Sequence, residues 1–223
     1  MASIEGEPVR IGKPGPYPRS QLPVLCESLL PRPLEIPASF MAALSRRRSA
    51  EVFTPISADS LTTWLHYTSS IQAINTEDAN RQRRYVASFG ALHSTHVLLG
   101  GPSGSWNVYV PERHALGDLR IDTVVSAELR TKALQYFHAP DATLVALISN
   151  SDLAAHYYLN PLSLMLRDAG VLFGHAALVA AALGLGFRIL GGTGSPLVER
   201  LVPELPFRPV ATGLAWIGGG CAD

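Results

Sequence analysis

One stretch restricts the fold of this chain more than any other: Asp168-Ala-Gly-Val-Leu-Phe-Gly-His-Ala-Ala-Leu-Val-Ala-Ala-Ala-Leu-Gly-Leu-Gly-Phe-Arg-Ile-Leu-Gly-Gly192. Its first part is apolar around nearly the whole helical circumference, so it needs either protein or lipid on every side. Residues 169–187 approach the roughly 20 residues that span a bilayer, but His175 interrupts the run and Ala and Gly dominate over Leu and Ile. Burial in protein, not a membrane span, is the expectation. Gly170, Gly174, Gly184 and Gly186 permit close approach of another backbone, which suits a helix packed across a subunit interface. Gly184-Leu185-Gly186 then ends the helix, because glycine takes the left-handed conformation without a Cβ penalty. Phe187-Arg188-Ile189-Leu190 reads as a short buried strand delivered into Gly191-Gly192, where bare main chain can touch a flat ligand.

The 223 residues are 47% hydrophobic, enough for a sizeable core, and no linker or internal repeat divides them. Eighteen basic and eighteen acidic side chains cancel, so neither nucleic acid nor an anionic membrane is expected as the main partner. Cys26 and Cys221 stand far apart, without the paired spacing of a zinc site or the density of a secreted disulfide scaffold. Acidic residues near the N-terminus occupy the place of a signal peptide's basic region, and a cytoplasmic location is expected.

Residues 1–37 include Pro8, Pro14, Pro16, Pro18, Pro23, Pro31, Pro33 and Pro37, and read as an extended arm, suited to lying on a partner subunit. Residues 38–223 read as one domain. Ser39 begins a short helix ending in Arg46-Arg47-Arg48, and Ser57 caps a second helix with Leu61, Trp64, Leu65 and Ile71 on one side. Residues 75–84 are polar and read as a surface loop. Residues 96–99 and 106–110, joined by Gly100-Gly101-Pro102-Ser103-Gly104, read as a hairpin. Ser126 is a candidate cap with Glu128 in the first turn, residues 142–148 are an apolar strand, and residues 151–158 look helical. Pro161 precedes the long helix, Ser195-Pro196 signals another as cap and first helical residue, and residues 210–217 close the chain as a strand. Strands interleaved with helices, together with a hairpin, indicate α+β.

Four places could carry chemistry. Arg46-Arg47-Arg48-Ser49 complements a helix C-terminus, or clamps a phosphate with guanidinium forks and a hydroxyl. Ala87-Ser88-Phe89-Gly90-Ala91-Leu92-His93 is a small-residue loop before a strand. Ala155-His156-Tyr157-Tyr158 places rings on an amphipathic helix, and Gly191-Gly192 is a strand-to-helix turn. No P-loop, no nucleophile elbow and no histidine pair at metal spacing occurs, so no metal site is expected.

Taken together and in order, these segments resemble the FMN-dependent nitroreductase superfamily over about residues 31–217, and within it the SagB-type branch, the azoline dehydrogenases of thiazole- and oxazole-containing peptide biosynthesis. The resemblance implies a nitroreductase-like α+β fold, with a central, mainly antiparallel sheet flanked by helices and the long buried helix at a dimer interface. It implies a homodimer with FMN in that interface and a peptide or small-molecule substrate, in the company of other biosynthetic enzymes. The superfamily's Arg-Arg-Ser-x-Arg-x-Phe phosphate motif stands here as Arg47-Arg48-Ser49-Ala50-Glu51-Val52-Phe53, with Glu51 replacing the second basic position. The branch's Pro-Ser-x-Gly-Ala-Leu-His-Pro segment maps onto residues 87–94, making Ser88, Gly90 and His93 cofactor-site candidates, while Ala87 and Ser94 replace the prolines. Its Lys-Tyr pair, which handles the substrate proton, maps onto His156-Tyr157, and its loop whose N–H approaches flavin N5 onto Gly191-Gly192. The chain ends without the basic residue many members use at the phosphate. Two other readings stand beside this one: a nitroreductase-like NAD(P)H oxidoreductase acting on quinones or nitroaromatics, and a flavin-free partner or scaffold subunit of a biosynthetic complex.

Overall fold

The structure is a computed structural model and describes residues 6–12, 15, 17–36 and 38–220; Pro14, Pro16 and Pro37 of the proline-rich segment and Cys221 lie outside the described residues. The chain opens with β1 (Val9–Arg10), β2 (Val24–Leu29), α1 (Phe40–Arg46), α2 (Ala58–Ser69), β3 (Ile71–Ile74) and β4 (Gln82–Arg84). Next come β5 (Thr95–Gly100), β6 (Trp106–Val110), β7 (Ala115–Leu119), α3 (Thr123–Tyr136), β8 (Thr143–Asn150) and α4 (Ser151–Tyr157). The last third holds β9 (Tyr158–Leu159), α5 (Leu162–Ala182), β10 (Leu185–Ile189), α6 (Leu197–Leu201) and β11 (Pro209–Gly219).

Seven strands form one sheet in the order β10-β11-β8-β5-β6-β7-β2, with every pairing antiparallel. Its central strands are apolar on both faces, since successive side chains point opposite ways. Leu98, Val108, Leu144, Ala146, Ile148, Leu214 and Trp216 join Leu129 and Ala133 of α3 and Val198 and Leu201 of α6 in one core layer. Val97, Leu99, Tyr109, Val145, Leu147, Ala215 and Ile217 meet Trp64 and Leu65 of α2 and Ala169, Phe173, Ala176 and Ala180 of α5 in the other. A bulge in β11 between Ala211 and Gly213 keeps both Ala211 and Leu214 in the first layer. Gly213 is required there, because the Phe173 ring occupies the space of a Cβ.

The caps at Ser39 and Ser57 form as expected, accepting from Ala42 N and Ser60 N. Three expectations need correction. Helix α3 starts three residues before Ser126, because the Asp122 carboxylate accepts from Val124 N and Val125 N. Ser126 instead lies buried and accepts from Trp106 Nε1 at 2.8 Å. Residues 75–81 form the expected surface turn, but residues 82–84 do not belong to it: they pair as β4 with β3, and Asn80, Gln82 and Arg84 are buried. Helix α6 begins after Pro196 without a side-chain cap, its first N–H groups bonding to Gly194 O. The proline-rich segment pairs with its own chain, β1 with β9 and β2 with β7 at the sheet edge.

Helix α5 is the expected long helix, ended by Gly184 at φ +70. It buries Met165, Ala169, Leu172, Phe173, Ala176, Val179 and Ala180 against the sheet. His175 Nε2 donates to Tyr67 O at 2.8 Å, so the polar residue within the run is satisfied by protein. The opposite stripe, Leu166, Gly170, Val171 and Gly174, is exposed in the single chain.

Candidate functional site

After α1 the chain turns along the outer edge of the sheet. Ala50 N donates to Phe187 O at 3.1 Å, Arg188 Nη1 to Ala50 O at 2.8 Å, and Thr54 exchanges backbone bonds with Gly219. Gly186 allows this approach, since a Cβ there would lie 3.2 Å from Ala50 Cβ. Between this segment and the C-terminal half of α5 opens a cavity of about 440 Å3, whose lining includes Arg46, Arg48, Ser49, Glu51, Ala181 and Gly186. Arg47 does not line it: as the residue after α1 it turns its N–H to Ala43 O, and Arg46 takes its place. Arg188, a cation the motif search passed over, stacks 3.9 Å from the Phe137 ring centre beside this segment.

Gly191-Gly192 follows the end of β10, four residues beyond Phe187 and so roughly 13 Å along the strand direction. No atom lies within 4 Å of the place where a Gly191 Cβ would be, so this main chain is open to a ligand. Gly192 is closed on its Cβ side by the Tyr136 hydroxyl.

A second group gathers at the N-terminal half of α5. Ser88 Oγ donates to Asp168 Oδ2 at 2.6 Å and Phe89 N to Asp168 Oδ1 at 2.9 Å, while Ser88 Oγ accepts from His93 N at 2.9 Å. Burial pushes the Asp168 carboxyl up, against the pull of those two donors. Gly90 adopts φ +56 and its missing side chain leaves room for the Tyr158 hydroxyl. His93 Nε2 donates to Gln82 O at 3.0 Å, and burial, helped by the Arg84 charge, pushes the ring down to about 3. Ser88 and His93 therefore act as internal ties of the loop. The loop itself, with Gly90 and residues 81–84, lines a cavity of about 520 Å3.

His156-Tyr157 closes helix α4, which Asn150 caps through Leu153 N. The Tyr157 hydroxyl reaches both Asp78 carboxylate oxygens at 2.9 and 3.0 Å and accepts from Asn80 Nδ2 at 3.4 Å. Arg81 lies 5.1 Å from the Tyr157 ring centre and pairs with Asp78 at 3.1 Å. The phenol is pushed up, by burial first and then by the Asp78 carboxylate. His156 Nε2 donates to Gly15 O at 2.8 Å. Asp78, Asn80 and Arg81 escaped sequence reading, although a turn of short polar residues was the available signal.

Apart from Gly191-Gly192 and His156-Tyr157, the structure divides the candidates that line a cavity between two places. Arg48, Ser49 and Glu51 share the cavity beside Ala181, whereas Ser88, which Asp168 holds, ties His93 into the loop that also carries Gly90. Thirteen residues of α5 separate Asp168 from Ala181, roughly 20 Å along the axis.

No sequence-family model matches this chain, and no curated protein matches its sequence. Solved structures do match. A protein of Ralstonia eutropha JMP134 designated a nitroreductase superposes with a TM-score of 0.67 at 21% identity, over 97% of this chain and 99% of that one. One of Anabaena variabilis ATCC 29413 with the same designation gives a TM-score of 0.62 at 19% identity, covering 81% of this chain and 38% of that one. The McbBCD microcin synthetase complex of E. coli, solved with truncated pro-MccB17 bound, gives 0.58 at 19% identity over 79% of this chain and 70% of that one. These likenesses establish a shared fold.

Proposed function

On a chain with the nitroreductase fold, we propose an FMN-dependent oxidoreductase of SagB type that dehydrogenates an azoline, or a similar peptide- or carrier-bound intermediate, as a homodimer. The observation that carries this reading is the separation of two half-sites by a bare helical stripe. Asp168 lies six residues before Gly174, and Ala181 seven after it. An antiparallel copy crossing near Gly174 therefore brings Ser88 of the partner subunit over the cavity beside Arg48. One ligand then touches both chains.

The residues present fit FMN. Arg46, Arg48 and Ser49 offer charge-assisted donors to a phosphate, the edge of β10 leads away from them, and the open Gly191 main chain stands at the far end. When bound, FMN supplies two-electron acceptance. Aromatising an azoline also releases a proton, so an acceptor is required on the substrate side. Tyr157 is assigned that role with His156 beside it: as the phenol oxygen takes the substrate proton, its own proton passes to the Asp78 carboxylate already bonded to it. The hydroxyl is covered in the single chain, so Asn80 must move aside for substrate to reach it.

The purified protein should carry the visible absorbance of oxidised flavin. Arg48→Ala should weaken FMN about tenfold or more, because each charge-assisted contact contributes roughly 1.5–3 kcal/mol. Unchanged retention in that variant rejects the phosphate assignment. A colourless dimer that gains no absorbance on added FMN would favour the flavin-free subunit, the reading to which Glu51 in the cavity points.

A further inference from the structure

Asp168 opens the long apolar stretch, and it also holds a strained segment of the chain. Residues 88–93 turn through Gly90, Ala91 and His93 at φ +56, +59 and +46. Glycine takes that left-handed course freely, whereas the Cβ of Ala91 and of His93 crowds the following carbonyl oxygen. Such a conformation persists only where its surroundings over-determine it, and here contacts from distant parts of the chain do so. Arg81 Nη1 donates to Gly90 O at 2.6 Å, and Arg19 donates to Leu92 O and His93 O at 3.2 and 3.0 Å. His93 Nε2 ties the end of the loop to Gln82 O. The link to α5 is Asp168 itself: its carboxylate accepts from Phe89 N and from Ser88 Oγ, which in turn accepts from His93 N.

That arrangement uses up the Ser88 hydroxyl. Its single proton goes to Asp168 Oδ2 at 2.6 Å and one of its lone pairs takes the His93 N–H, so it has no proton left to offer a ligand. Gly90 and Ala91 of the same loop line the cavity of about 520 Å3. We propose that Asp168 is a positioning residue: acting through Ser88, it fixes the left-handed course of residues 88–93 and so the wall that this loop gives to the cavity. Arg84 and the neutral ring of His93 share with Asp168 the lining of a small cavity of about 20 Å3, and Arg167 stands on its own helix. In the proposed dimer this loop crosses to the partner subunit's cofactor cavity, so any effect on FMN rests on that reading, whereas the latch between Asp168 and the loop does not.

A double-mutant cycle on the full chain separates this role from a direct contact. In the protein without flavin, Ser88→Ala and Asp168→Asn should each lower the hydrogen-exchange protection of the His93 amide by about tenfold, and the double variant no further, because either change breaks the same chain of bonds. Protection in the sheet and in the rest of α5 should hold. With FMN added, its dissociation constant should follow the same pattern, weaker by about tenfold in each single variant and in the double, not by about a hundredfold. Additive losses would overturn the proposal, since a hydroxyl touching the ligand directly and a carboxylate serving only α5 contribute independently. Coupled exchange in a protein that binds no flavin supports the latch and rejects the cofactor reading. Should Asp168→Asn fail to fold, nuclear magnetic resonance of the unsubstituted protein decides. The Phe89 amide proton and the Asp168 carboxyl carbon should titrate with one midpoint, above the ordinary carboxylate value of about 3.9 because burial pushes this carboxyl up. A Phe89 amide indifferent to that titration would remove the latch.

Discussion

His93 shows how much a single residue's setting can depart from its ordinary chemistry. The folded ring stays neutral down to about pH 3, whereas the unfolded ring takes up a proton near its usual value of about 6.5. Because the folded pKa is depressed, its contribution to stability is complete above the unfolded value and is lost as pH falls from about 6.5 toward 3. The slope per fully buried histidine is about 1.4 kcal/mol per pH unit. Urea midpoints at pH 7 and pH 5 should therefore differ markedly, and by less in His93→Gln, whose amide can still donate to Gln82 O; equal pH slopes in the two proteins would count against the assignment. Tyr157 makes a different point, since its hydroxyl both ties the 75–84 hairpin to α4 and stands in the proposed proton path. Tyr157→Phe should lower stability by about 1 kcal/mol, a midpoint shift of roughly 2–4 °C, while flavin content persists. If the proton role holds, turnover on the true substrate falls by about 10²-fold or more, far beyond what that stability loss explains. Undiminished turnover leaves only the tie.

At the scale of elements, the local signals were readable where their physics is local. Ser39 and Ser57 were legible as caps because a cap needs only a short polar side chain before an apolar-periodic run. Ser126 misled because its hydroxyl is taken by Trp106, twenty residues away, a partnership invisible to a window of one turn. Asp122 does that work, and Asp122→Ala should cost about 1 kcal/mol, measurable as a lower urea midpoint with an unchanged slope. Helix α5 was legible in length and ending, yet an apolar circumference does not say which side meets the sheet and which a second copy. In the proposed dimer, the exposed Gly170, Val171 and Gly174 mark the second side. Val171→Asp should turn a dimer into a folded monomer by sedimentation, with helical circular dichroism retained; a variant still dimeric at micromolar concentration would place the interface elsewhere.

For the whole molecule, flavin retention and dimerisation should be one equilibrium, because neither half-site in a single chain surrounds the ligand. Dilution of the purified protein should release flavin with the same midpoint as dimer dissociation, followed by absorbance and by mass in one sedimentation run. Flavin that stays on the monomer would break the proposed arrangement across α5. The alternating apolar strands, the helix caps, the glycine-ended central helix and the order of the motifs were determined by sequence alone, since each rests on interactions within a few residues or on the period of the backbone. Only the tertiary structure decided that Arg46 replaces Arg47 at the cavity, that Tyr157 meets Asp78 and that Arg84 is buried against Gln82 and Ser69. Those outcomes depend on which side chains from distant parts of the chain meet inside a low-dielectric interior, and no preference within a few residues decides that.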